Sequence, residues 1–154
     1  MNKCLPDFYK PIVNVEQILE ELKCSLTIED WHLASFYQTL SEPFIEKYKD
    51  KVDWIYISSY QKLSEPFIEK WKNKVGWYCI SSYQELSESF IEKWKNKINF
   101  NYLSNNKKIN WNDFSEEFFD KYNQHFDLEK INKIRSFSKA FCLKYNLDWR
   151  WNKQ

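Results

Sequence analysis

LSEPFIEKYKDKVDWIYISSYQK (Leu40–Lys62), LSEPFIEKWKNKVGWYCISSYQE (Leu63–Glu85) and LSESFIEKWKNKINFNYLSNNKK (Leu86–Lys108) are three consecutive copies of one 23-residue phrase. A fixed period of this length marks stacked supersecondary units, so the repeat sets the architecture before any single residue does. Within one copy Leu40, Phe44, Ile45, Tyr48 and Val52 fall at helical spacing, not strand spacing. Ser41, Ser64 and Ser87 read as N-caps. Glu and, in two copies, Pro follow in the first turn, where a carboxylate suits the helix dipole and Pro lacks no needed donor. Asp50, Asn73 and Asn96 mark the expected end, in a left-handed turn. Asp53 then caps a second helix whose inner face carries Trp54, Ile57 and Tyr60 or Gln61. Two helices of roughly nine residues each fit the period, and helices that short need neighbours. The expected fold is all-α: a short solenoid of stacked αα-hairpin repeats with N- and C-terminal capping helices.

Working outward, Asp30–Gln38 matches the second half of the phrase, so the array begins half a unit before Leu40. Ahead of it Asn14, with Gln17 as capping-box partner, predicts a helix over Val15–Lys23 with Ile18, Leu19 and Leu22 as its stripe. The third copy decays at Asn101, Asn105 and Asn106. Phe114–Tyr122 then echoes the first helix after five extra residues. Asp127 predicts one long terminal helix over Leu128–Tyr145, with Lys130, Lys133, Arg135, Lys139 and Lys144 mainly outward. The chain thus divides into an N-terminal cap with a half repeat (1–39), three repeats (40–108), and a degenerate repeat with a capping helix (109–154).

Composition agrees with packed short helices. The chain has 8 Trp, 10 Tyr and 12 Phe among 154 residues, and each buried ring removes ~150–250 Å² from water. One glycine, Gly76, argues against Gly-rich phosphate loops and hairpin-rich folds. A net charge of +1 excludes a polycation. Cys4, Cys24, Cys79 and Cys142 show no CxxC or Cys/His cluster, which predicts reduced, mostly buried thiols and no zinc site. The decapeptide MNKCLPDFYK has no signal-like apolar run, and no stretch reaches the ~18 apolar residues of a membrane span. The expectation is a cytoplasmic protein with no cofactor and no membrane partner.

The phrase resembles a tandem repeat of giant-virus and bacteriophage proteins, LSE-x-FI-x-x-x-K-x-KV-x-W-x-x-IS-x-YQ. Leu40–Lys62 and Leu63–Glu85 match it closely, Leu86–Lys108 in its first half, and Asp30–Gln38 in its second. The resemblance implies a viral origin and an α-helical array, and carries no catalytic residues. It also implies a small protein that binds host or defence proteins, in the manner of an inhibitor of a host defence complex.

No enzyme is expected. His32 and His125 are the only histidines, and a Cys24–His32 nucleophile–base pair lacks a third, orienting group. The acids Glu42, Glu46, Glu65, Glu69, Glu88 and Glu92 read as an outer, solvated face, neutralised three residues on by Lys49, Lys72 and Lys95. Two binding modes remain. In the first, a host or viral protein docks on the positions that change between copies while the scaffold stays constant: Ile55, Tyr78 and Asn101, and Tyr56, Cys79 and Tyr102. In the second, single-stranded nucleic acid binds three registered lysine rows beside Tyr48, Trp71 and Trp94. The rows are Lys47, Lys49 and Lys51; Lys70, Lys72 and Lys74; and Lys93, Lys95 and Lys97. Near-neutral charge and the lack of Arg in these rows favour the first.

Overall fold

A computed structural model describes residues 7–152; Cys4 and the first six residues of the N-terminal decapeptide lie outside them. Among the described residues there are eleven α-helices, three 3₁₀ turns and no strand. Contacts divide the chain into two compact units, 1–80 and 81–154.

The first unit carries α1 (Val15–Leu22), α2 (Ile28–Tyr37), α3 (Glu42–Lys47), α4 (Trp54–Tyr60), α5 (Glu65–Lys70) and the start of α6 (Trp77–Tyr83). The first two copies of the phrase each give a six-residue helix and a seven-residue one, shorter than the sequence suggests. Ser41 and Ser64 cap α3 and α5 by accepting from Phe44 and Phe67, and Asp53 caps α4 by accepting from Ile55 and Tyr56. The chain leaves α3 at Tyr48, whose carbonyl takes both the Lys51 and the Val52 N–H at 2.8 and 3.1 Å. That tight turn needs no left-handed residue at Asp50, Asn73 or Asn96. Positive φ occurs only at Asn14 and Asn146 among the described residues.

Leu40, Phe44, Ile45, Tyr48 and Val52 are all buried, as are Leu63, Phe67, Ile68 and Val75 one period on. A fully buried apolar side chain stabilises by ~1.5–3 kcal/mol, which helices of six residues need to persist. Trp31 packs on Tyr48 with ring centroids 4.9 Å apart, and Trp54 on Trp71 at 5.4 Å, one period later. α2 packs against α4.

One N-terminal expectation is corrected. Asn14 has φ 56° and no side-chain cap bond, and Gln17 reaches Glu21 instead, so the capping box does not form. α2 begins ahead of Asp30, with Thr27 as its cap. Asp30 is its third residue, in a capping box with Thr27.

The second unit carries the end of α6, then α7 (Glu88–Lys93), α8 (Phe100–Leu103), a 3₁₀ turn at Trp111–Asp113, α9 (Glu116–Lys121), α10 (Leu128–Asn132), α11 (Lys139–Lys144) and a 3₁₀ turn at Trp149–Asn152, with a third at Asn123–His125. Ser115 and Asp127 cap α9 and α10 as the sequence indicates. The long terminal helix does not form. It divides because Ser138 starts a new helix by accepting from Phe141, and Phe137 turns inward to stack on Phe141 at 4.3 Å. Ser138, Phe141, Tyr145, Leu147, Asp148 and Trp149 keep the order of Ser41, Phe44, Tyr48, Val52, Asp53 and Trp54, so the segment is repeat-like.

Arg135 does not point outward. Its guanidinium donates to the Phe114 carbonyl and lies 5.2 and 4.6 Å from the Phe119 and Phe137 rings; burial pulls its pKa below the usual arginine range.

Candidate partner-binding face

The repeated polar residues join one copy to the next. Glu42, in the first turn of α3, accepts the Ser64 N–H at 2.5 Å and the Ser64 hydroxyl at 3.1 Å. Glu16 takes the Ser41 N–H at 2.5 Å, and Glu88 takes both Ser115 donors at 2.6 and 2.7 Å. Each carboxylate therefore supplements the following helix's own cap, using its second lone-pair set. The second acid of each helix holds the next lysine: Glu20 with Lys47 and Glu46 with Lys70, both at 2.5 Å, and Glu92 with Lys121 at 2.7 Å. Glu20 also takes Lys23, three residues on, at 3.3 Å, whereas the expected Glu46–Lys49 pairing is replaced. Glu46 reaches Lys70, 24 residues away, rather than Lys49.

Electrostatics follow from that arrangement. Lys47 and the Tyr48 hydroxyl bonded to Glu20 bring its carboxyl down to about 2. Burial, with the same carboxylate, pushes Tyr48 up to about 12. Lys121 lowers Glu92, and Lys144 lowers Asp120, in the second unit.

Two buried polar rungs complete the joints. Ser35 donates to the Trp31 carbonyl at 2.7 Å and accepts the Asp53 N–H at 3.1 Å; Ser58 repeats this with Trp54 at 2.6 Å and Gly76 at 3.0 Å. Gln61 accepts the Leu40 N–H at 2.9 Å and donates to the Ser35 and Gln38 carbonyls at 3.0 and 2.7 Å. Buried backbone groups between helices require such partners. In the second unit α8 is only four residues long, and Asn106 takes the glutamine's role toward the Ser81 and Gln84 carbonyls at 2.9 and 2.8 Å. By the 23-residue register Asn106 aligns with Tyr83, one residue before the glutamine.

With Gln61 inward, Tyr60 is driven out. It is 53% exposed, which decides the inner face between Tyr60 and Gln61 in favour of Gln61. In the first unit Tyr9, Tyr37, Phe36, Tyr60 and Tyr56 form a continuous ring ladder. Its centroid spacings are 5.2 Å for Tyr9–Tyr37, 4.4 Å for Tyr37–Phe36, 4.2 Å for Phe36–Tyr60 and 6.2 Å for Tyr60–Tyr56. Ile55 and Tyr78 are also exposed on this unit. α4 bears no charged residue. An uncharged run of exposed rings is the composition that protein interfaces enrich.

Of the positions chosen because they vary, Ile55 and Tyr78 are exposed and Tyr56 is half-buried in the ladder. Cys79 is 1% exposed and cannot meet a partner; it fills the inward slot beside Gly76, 3.5 Å from where a Cβ there would sit. Asn101 and Tyr102 are exposed in the second unit. Variation between copies therefore does not report exposure. Tyr37 and Tyr60 were missed because tyrosine recurs at that register position as far as Tyr83 and changes only at Asn106.

The lysine rows are largely engaged. Lys47, Lys70 and Lys74 hold Glu20, Glu46 and Asp50. Lys49 and Lys51 lie 5.5 and 6.0 Å from the Trp71 and Trp31 rings, and Lys93 lies 5.9 Å from Trp94. Trp71 and Trp94 are half-buried beneath them. Lys72, Lys95 and Lys97 are exposed. His32 Nε2 sits 3.6 Å from Asp53, and Cys24 is exposed. Among the described residues no cluster of three or more His, Cys, Asp or Glu could hold a metal ion, and no helix is long and apolar enough to cross a membrane.

The chain matches no protein-family model, no curated protein and no solved structure.

Proposed function

We propose that the protein is a non-catalytic helical-repeat scaffold that captures a protein partner on its tyrosine ladder. The observation that carries this reading is the ring run of Tyr9, Tyr37, Phe36, Tyr60 and Tyr56, in which Tyr9, Tyr37 and Tyr60 are exposed while Gln61 beside them turns inward to the joint between copies. Rings with two side-chain torsions lose little entropy on docking, so they serve as anchors. The recurrence of the same joint within each unit, at Glu16–Ser41 and Glu42–Ser64 and at Glu88–Ser115, supports a solenoid of helical repeats. The resemblance of the 23-residue phrase to viral and phage repeats supports a role in the host cytoplasm, as an inhibitor that occupies a host defence protein.

The test compares wild type with Tyr37→Ser/Tyr60→Ser in affinity capture from a host lysate, followed by purified binding. The proposal expects one dominant protein, bound at least tenfold more weakly by the double variant. Equal binding by both chains overturns the ladder. Recovery of nucleic acid alone overturns the protein-binding reading.

A further inference from the structure

The five residues that interrupt the 23-residue period leave a mark in the second unit. Between the short helix α8 and helix α10 lies a cavity of about 370 Å³. Ile109, Trp111, Ile131 and Ile134 supply its apolar lining, and Lys107 and Lys130 its only charges. Ile109, Trp111 and Ile131 are buried in the protein, whereas Ile134 is 54% exposed. The volume falls within the ~300–1,000 Å³ of small-molecule sites, which combine an apolar wall with a few polar groups.

Charge singles this cavity out. Elsewhere in the second unit Lys121 and Lys144 hold Glu92 and Asp120 across the joints. Among the described residues Lys107 and Lys130 hold no carboxylate, and no lining residue is acidic. Two like-charged ammonium groups beside an apolar wall attract an anion and reject a cation, while the wall favours an aliphatic or aromatic tail over water.

We propose that this cavity binds an apolar carboxylate, its tail on Ile109, Trp111, Ile131 and Ile134 and its carboxylate between Lys107 and Lys130. The same chemistry comes from a free amphiphile or from the C-terminal residue of a peptide chain. The site uses none of the tyrosine-ladder residues and stands independently of the partner proposed above.

Calorimetry on the full chain compares octanoate with octanamide, and an acetylated tetrapeptide ending in Leu as free acid with its C-terminal amide. The acid of at least one pair should bind roughly five- to tenfold more tightly than its amide. Lys107→Gln/Lys130→Gln should erase that preference and leave tail binding. Ile134→Asp, at an exposed position that the fold tolerates, should weaken both members of the pair. The tighter of the two acids names the source. Equal binding of acid and amide, no binding of either acid at millimolar concentration, or a preference that survives the double lysine substitution overturns the proposal. Circular dichroism of each variant separates these results from unfolding, and Tyr37→Ser/Tyr60→Ser should bind the acid as wild type does.

Discussion

Glu42 and Ser64 stand 22 residues apart in sequence, and the carboxylate of the first takes both the N–H and the hydroxyl of the second. One helix thereby caps the next, in addition to the cap that Ser64 provides for Phe67 at 3.3 Å. Glu42→Ala should cost about 1–2 kcal/mol, because a helix N-terminal donor loses a charge-assisted acceptor. Glu117→Ala, exposed on α9, should stay within about 0.5 kcal/mol. Urea denaturation midpoints at constant slope check both.

Gln61 serves three backbone groups at once. Gln61→Leu keeps a side chain of similar volume there but strands Leu40 N–H and the Ser35 and Gln38 carbonyls. A loss of about 2–4 kcal/mol is expected in chemical denaturation. Gln61→Glu should also destabilise, since a carboxylate cannot donate to the two carbonyls.

Acid should loosen the joints. Glu20, brought down to about 2 from an ordinary 4.5, contributes stability that is full above the ordinary value and lost as pH falls toward 2. Glu92, Asp120 and Asp50 are lowered in the same sense. Tyr48 acts oppositely. Raised to about 12 from 10, it contributes stability below pH 10 that disappears as pH climbs toward 12. Melting temperature should fall at both extremes, and Glu20→Gln should flatten the acid limb.

Gly76 occupies the cap position filled by Asp53 and Asn99 in the other copies. A Cβ there would sit 3.0 Å from Ile55 Cδ1, the end of an exposed side chain that can swing aside. Gly76→Asn should stabilise by about 0.5–1 kcal/mol through the restored cap and a less flexible unfolded chain. The gain should be larger in an Ile55→Val background, where Cδ1 is absent. Thermal unfolding of the four chains closes the cycle.

The local grammar was legible. Ser41, Ser64, Ser115 and Asp53 cap where their spacing places them, because a cap depends on residues two or three apart. Asn14 and the long terminal helix failed for a matching reason. Periodicity in Leu128–Tyr145 favoured continuation, while Ser138 and Phe137 gain more by capping and stacking within a new helix. Cys79 lies inward against expectation, and Gln61 rather than Tyr60 takes the inner face, because helix faces are assigned by what the neighbouring copy offers. Gln61 goes inward to backbone groups of Ser35 and Gln38 that no inspection of its own copy reveals.

The sequence by itself determined an all-helical chain of short, capped helices repeating every 23 residues, since caps and apolar spacing are local properties. Only the tertiary structure decided that the repeated Glu, Ser, Gln and Lys are joints and that tyrosines form the open face. Hydrogen bonds between copies link residues more than twenty apart, and their geometry exists only once the helices are packed.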